Sequence, residues 1–114
     1  MNSSTIERQQ LLAAALGSRN VTNVDIRKIT LSPGQKAGRH LHPCPVVGYI
    51  ASCTAFCQVE GEAAELLPVG SAFYEPAERV IADFGNASDT APMTFIAFYL
   101  LDGKQELIQM LDKD

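Results

Sequence analysis

Basic charge is in short supply in this chain. Nine lysines and arginines stand against thirteen acidic residues, for a net charge of −4 and a pI near 5.0. No basic stripe is available to neutralise phosphates, which excludes nucleic acid as a partner class. The one modest basic cluster, Lys36 and Arg39, is too small to alter that. Long apolar runs are also missing, and nothing approaches the roughly 20 residues that a membrane-spanning helix requires. The apolar piece at 11–16 is too short for a signal peptide and follows Glu7 and Arg8 instead of a basic opening. Cysteine is scarce and odd in number. Three residues without a regular framework fit a reducing compartment better than a disulfide-stapled secreted scaffold. Cys53 and Cys57 sit amid apolar neighbours, as inert buried cysteines do. The expectation is a cytoplasmic protein with neither a membrane nor a nucleic-acid partner.

Several chemical signatures are absent too. There is no Walker loop and no G-x-G-x-x-G fingerprint, so nucleotide cofactors find no support. No G-x-S-x-G elbow occurs, and both histidines are committed to one strand face, which leaves no Ser-His-Asp triad. Cys44 beside His42 is the one nearby pairing of thiol and base, and proximity in sequence does not make it a nucleophile.

What is present suits one globular domain: 114 residues, 46% of them hydrophobic. Ser4 and Glu7 form a capping-box pattern ahead of Ile6, Leu11, Leu12 and Leu16, which fall near helical spacing and predict an N-terminal helix before Gly17. After a polar loop at 18–23 the texture turns to β. Runs rich in Val, Ile, Phe and Tyr recur between turn signals: DIRKITL at 25–31, VVGYIA, TAFCQV, AAELL, SAFYE, ERVIADF, MTFIAFYLL at 93–101 and QELIQML at 105–111. Many short strands at regular spacing predict an all-β sandwich or barrel.

The chemistry concentrates at Gly34 to Cys53. His40 and His42, the only histidines, lie two apart behind a Pro-Gly turn. On a strand, positions i and i+2 share a face about 6.6 Å apart, and two imidazoles aimed into one space can share a metal ion.

These residues also carry a family resemblance. Gly34, five residues and then His40-Leu41-His42 match the opening of the first cupin motif, which continues with a Glu and then a Gly. Those two positions hold Val46 and Cys53. The second motif runs Gly, five residues, Pro-x-Gly, two residues, His, three residues, Asn. Gly70 and Pro76 keep its spacing, while Glu78 stands at the Gly, Ile81 at the His and Gly85 at the Asn, with Asn86 one place late. Residues 24–111 thus resemble a small single-domain cupin of the RmlC-like jelly-roll superfamily with a degenerate metal motif. The resemblance implies an all-β double-stranded β-helix, a jelly-roll barrel, carrying residues 1–20 as a helical appendage. It also implies that, of four family metal ligands, only His40 and His42 are kept.

Two functional expectations follow. The first is a small-molecule-binding barrel whose metal site is lost, with His40, His42, Val46, Gly48, Ile50 and Ile81 walling the pocket. The second is a metal-dependent enzyme of dioxygenase or isomerase type, holding one Fe, Zn, Ni or Mn ion on His40, His42 and a substitute ligand. Asp83, two residues after Ile81 and so on its face of a regular strand, is the substitute that parity favours. Cys44 lies between two prolines that break alternation, and parity does not fix whether Glu75, just before Pro76, points in or out. Open jelly-roll edges make a homodimer the expected assembly.

Overall fold

From Asn23 onward apolar and polar side chains alternate with a period of two, which buries one face of a strand. The computed structural model, which describes residues 5–111, turns these runs into nine strands. They are β1 (Asn23–Leu31), β2 (His40–Leu41), β3 (Val46–Ser52), β4 (Ala55–Val59), β5 (Glu65–Leu67), β6 (Ala72–Glu75), β7 (Ile81–Asn86), β8 (Met93–Leu101) and β9 (Gln109–Met110). One sheet has the order β1-β8-β3-β6 and the other β5-β4-β7-β2-β9. Every pairing is antiparallel. The sheets stay separate among the described residues, so this jelly roll is not a closed barrel.

The core lies between them. Met93, Phe95, Ala97, Tyr99 and Leu101 alternate inward along β8, beside Val46 and Ile50 of β3. From the other sheet come Ala55, Cys57, Ile81 and Phe84. The Phe73 ring from β6 meets Phe84 at 5.4 Å and Phe95 at 6.0 Å, and Phe84 meets Phe95 at 4.9 Å, so a three-ring cluster bolts the sheets together. Gly48 makes room for it: a Cβ there would lie 2.2 Å from Phe73 Cζ.

Two backbone positions report on the motif alignment. Among the described residues, left-handed φ outside glycine occurs at Cys53 (62°) and Glu78 (65°). These are the two motif glycine positions at which this chain carries another residue. The turns keep the left-handed geometry although the residue best suited to it has gone.

The N-terminal helix is not formed. Residues 5–22 have no helical turn, and Ser4 of the capping box lies outside the described residues. A short helix is marginal in water unless an apolar face is buried. Here Leu11 and Leu12 remain 52% and 41% exposed, lining an open outer groove with Val47, Ala72 and Phe98. The closing strand is also shorter than its pattern, with only Gln109 and Met110 pairing with β2.

Candidate metal centre

The site is assembled by β2 and β6, which belong to opposite sheets. His40 pairs with Ile81 on one side and Met110 on the other, so its ring projects from the middle of three strands. Its Nδ1 lies 2.7 Å from the Gly38 carbonyl, and His42 Nδ1 lies 2.7 Å from that of Leu107. A carbonyl only accepts, so both rings donate Nδ1–H and direct Nε2 inward. The turn ahead of β9 is therefore part of the site, since Leu107 sets the orientation of His42.

Glu75 supplies the third group. It ends β6, where Phe73 and Glu75 alternate inward, and it is the cross-strand partner of Val46. Its Oε1 sits 2.8 Å from His42 Nε2. One ligand atom from each of His40, His42 and Glu75 lies within 4.8 Å of the others. All three are buried, at 3%, 5% and 4% exposure. Burial opposes a charge on His42, but the Glu75 hydrogen bond and charge, with the Leu107 carbonyl, outweigh it and raise its pKa. His42 and Glu75 thus face each other directly, at hydrogen-bond distance, inside the three-residue cluster.

The surrounding groups are quiet. Burial, with the charges of Glu75 and Glu65, pushes the Cys57 thiol up to about 12. It remains an S–H aimed at Glu75 Oε2, 4.0 Å away. Cys44 is wholly buried, and burial raises its pKa also, so it is no nucleophile for His42 to activate. Tyr99 stands beside His42 with ring centroids 5.8 Å apart. Burial and the Glu75 charge raise its pKa, which keeps its hydroxyl protonated.

Glu75 and Tyr99, with both histidines, border a cavity of about 120 Å³ whose other walls are chiefly Ile29, Leu31, Phe84, Phe95 and Ile108. His40, His42 and Val46 line it. Gly48, Ile50 and Ile81 do not. The Phe73 ring covers Gly48, and Ile50 and Ile81 are fully enclosed in the core.

Asp83 is displaced from the site by a β-bulge. The β4–β7 register jumps between Gln58–Asp83 and Val59–Ile81, leaving Ala82 unmatched. One extra residue inverts the alternation, so Phe84 and not Asp83 follows Ile81 into the core. The Asp83 carboxylate instead accepts from the Gly38 and Phe84 amides and lies 3.9 Å from Lys36 Nζ. The carboxylate that joins the histidines is Glu75. Parity within β6 cannot reveal this without the long-range register to Val46. Tyr99 was within reach of the sequence, because alternation from Met93 puts it inward.

Fold comparison with solved structures now bears on the identity. A cupin-like protein from Thermotoga maritima superposes with a TM-score of 0.67 at 20% identity, over 78% of this chain and 65% of its own. A cupin domain from Bordetella pertussis superposes with a TM-score of 0.59 at 18% identity, over 75% of this chain and 88% of its own. The fold is that of the cupins. The DMSP lyase DddQ from Ruegeria pomeroyi shares it, with a TM-score of 0.66 at 15% identity over 76% of this chain and 42% of its own. The chain spans less than two thirds of the Thermotoga and Ruegeria proteins. No protein-family model matches the chain, and no curated protein matches it significantly. Within the cupin frame the site has a specific peculiarity. Val46 stands where the first motif has its glutamate, and a glutamate has arisen directly across the strand pair.

Proposed function

We propose that this cupin binds one divalent transition metal on His40, His42 and Glu75 and uses it to act on a small organic molecule in the adjoining cavity. The observation that carries this reading is the convergence of three buried donors, two of them held in the metal-binding tautomer by backbone carbonyls. Two imidazoles and one carboxylate suit iron and its first-row neighbours. Three protein ligands with open positions are the usual composition of a catalytic site, whereas structural sites are closed. Once bound, a divalent ion would polarise a substrate oxygen as a Lewis acid. The rest belongs to the chain: Gly38 and Leu107 hold the rings, the Cys57 thiol points at Glu75, and three phenylalanines line the adjoining cavity. A DMSP lyase with the same fold is in keeping with a catalytic reading.

This replaces the picture of an apolar pocket whose metal has been lost. The aliphatic residues at Val46 and Ile81 remove two family ligands, but Glu75 restores a carboxylate. The homodimer belongs to the same proposal. The outer face of the four-stranded sheet exposes Val24, Ile26 and Tyr49, a surface suited to a second copy.

Purified protein equilibrated separately with Fe(II), Zn(II), Ni(II) and Mn(II), desalted and subjected to elemental analysis provides the test. One of these metals is expected at one equivalent per chain, with loss of nearly all of it in His40→Ala and Glu75→Gln. Retention of a full equivalent by Glu75→Gln, or no uptake by the wild type, would overturn the proposal.

A further inference from the structure

We infer that the cavity takes a small, mainly hydrocarbon molecule bearing one oxygen-containing head group, and that the Tyr99 hydroxyl donates a hydrogen bond to that head group. This rests on the metal reading above, which places the head group between the ion and Tyr99.

Size comes first. The cavity is about 120 Å³. An engineered cavity of roughly 150 Å³ with comparable aliphatic and aromatic walls holds benzene, so the occupant here has about four to seven non-hydrogen atoms. Lining chemistry narrows the class. Ile29, Leu31, Phe73, Phe84 and Phe95 surround most of the space, and no lysine or arginine lines it among the described residues. Arg27 lies on β1 opposite Ala97 of the cavity wall, but its guanidinium is engaged by Asp25 through bonds of 2.7 and 3.1 Å. A second carboxylate or a phosphate would therefore enter with no cation to meet it, and an unpaired buried charge is strongly disfavoured. One negative oxygen group, met by the ion, is the most the site accommodates.

Tyr99 supplies the independent observation. It is 6% exposed, it lines the cavity, and its hydroxyl makes no hydrogen bond among the described residues. Every other polar side chain at the centre is engaged: both Nδ1 atoms by carbonyls, and Glu75 by His42. No fully enclosed side-chain nitrogen or oxygen among the described residues lacks a partner, so this unpaired hydroxyl is accessible, open to a water or a ligand. Beside His42, it is placed to position an oxygen held at the metal.

The test is calorimetric titration of the Co(II)-loaded protein with isobutyrate, malonate and inorganic phosphate, repeated in Tyr99→Phe. Isobutyrate is expected to bind at least ten times more tightly than either other anion. Tyr99→Phe is expected to weaken isobutyrate about tenfold, the value of one hydrogen bond to a charged group, while Co(II) affinity stays unchanged. Malonate or phosphate binding as tightly, or a Tyr99→Phe protein that binds isobutyrate like the wild type, would overturn the inference. If the wild type takes up no Co(II), the metal reading fails separately. Isobutanol and glycerol against the metal-free protein then decide the cavity. Thermal stabilisation by isobutanol alone, reduced in Tyr99→Phe, supports the inference, and its absence overturns it.

Discussion

Moving the carboxylate across the strand pair should move the site with it. Val46 and Glu75 are direct cross-strand partners, both inward and both nearly inaccessible, at 2% and 4% exposure. Facing residues of an antiparallel pair have Cβ atoms about 5 Å apart, within the reach of a glutamate side chain. Glu75→Val leaves His42 facing an aliphatic residue and removes one of three donors. It should cost about 1–3 kcal/mol of stability, through the lost hydrogen bond, and abolish stoichiometric metal. Val46→Glu alone sets a second buried carboxylate beside the first, and a loss of about 3 kcal/mol or more is expected. The double exchange, Val46→Glu with Glu75→Val, keeps side-chain volume and leaves one carboxylate facing His42. Its loss should fall short of the summed single losses by about 2 kcal/mol, a coupling typical of residues in contact. Urea unfolding of the four proteins yields the coupling, and metal content after equilibration gives the functional arm. Additivity within about 0.5 kcal/mol, together with no recovery of metal in the double variant, would refute the claim that the two positions serve one site.

Gly48→Ala forces a methyl to within 2.2 Å of Phe73 and 2.8 Å of the Ile96 carbonyl, and the latter cannot swing aside. It should cost about 2–3 kcal/mol by urea unfolding, and a loss below about 0.5 kcal/mol would contradict the packing described. Glu78→Gly should raise stability by about 0.5–1 kcal/mol, because it relieves a left-handed residue whose side chain is exposed. A measured loss would show that the turn is not strained. Sedimentation should give a dimer that Ile26→Asp converts to monomer, and a monomeric wild type would contradict the pairing surface.

The architecture was largely legible because strand alternation and turn residues are local signals. The positions of β3, β6 and β8 follow from apolar periodicity, and His40 and His42 share a direction as their spacing requires. The carboxylate was not legible, for two separate reasons. Glu75 meets His42 only through tertiary packing across the two sheets, which no local pattern encodes. Asp83 lost its apparent parity to a one-residue bulge at Ala82, which a single sequence does not announce. The N-terminal helix failed for a third reason: its apolar spacing was real, but the fold offers that stripe no deep surface to bury against.

The most direct test of the central claim is X-ray absorption of the zinc-loaded protein. Two imidazole nitrogens at about 2.0–2.1 Å and carboxylate oxygen at about 2.0–2.2 Å are expected around the ion. Sulfur near 2.3 Å would place the metal on a cysteine, and a shell of oxygen alone would place it off the site, either of which would contradict a centre built from His40, His42 and Glu75.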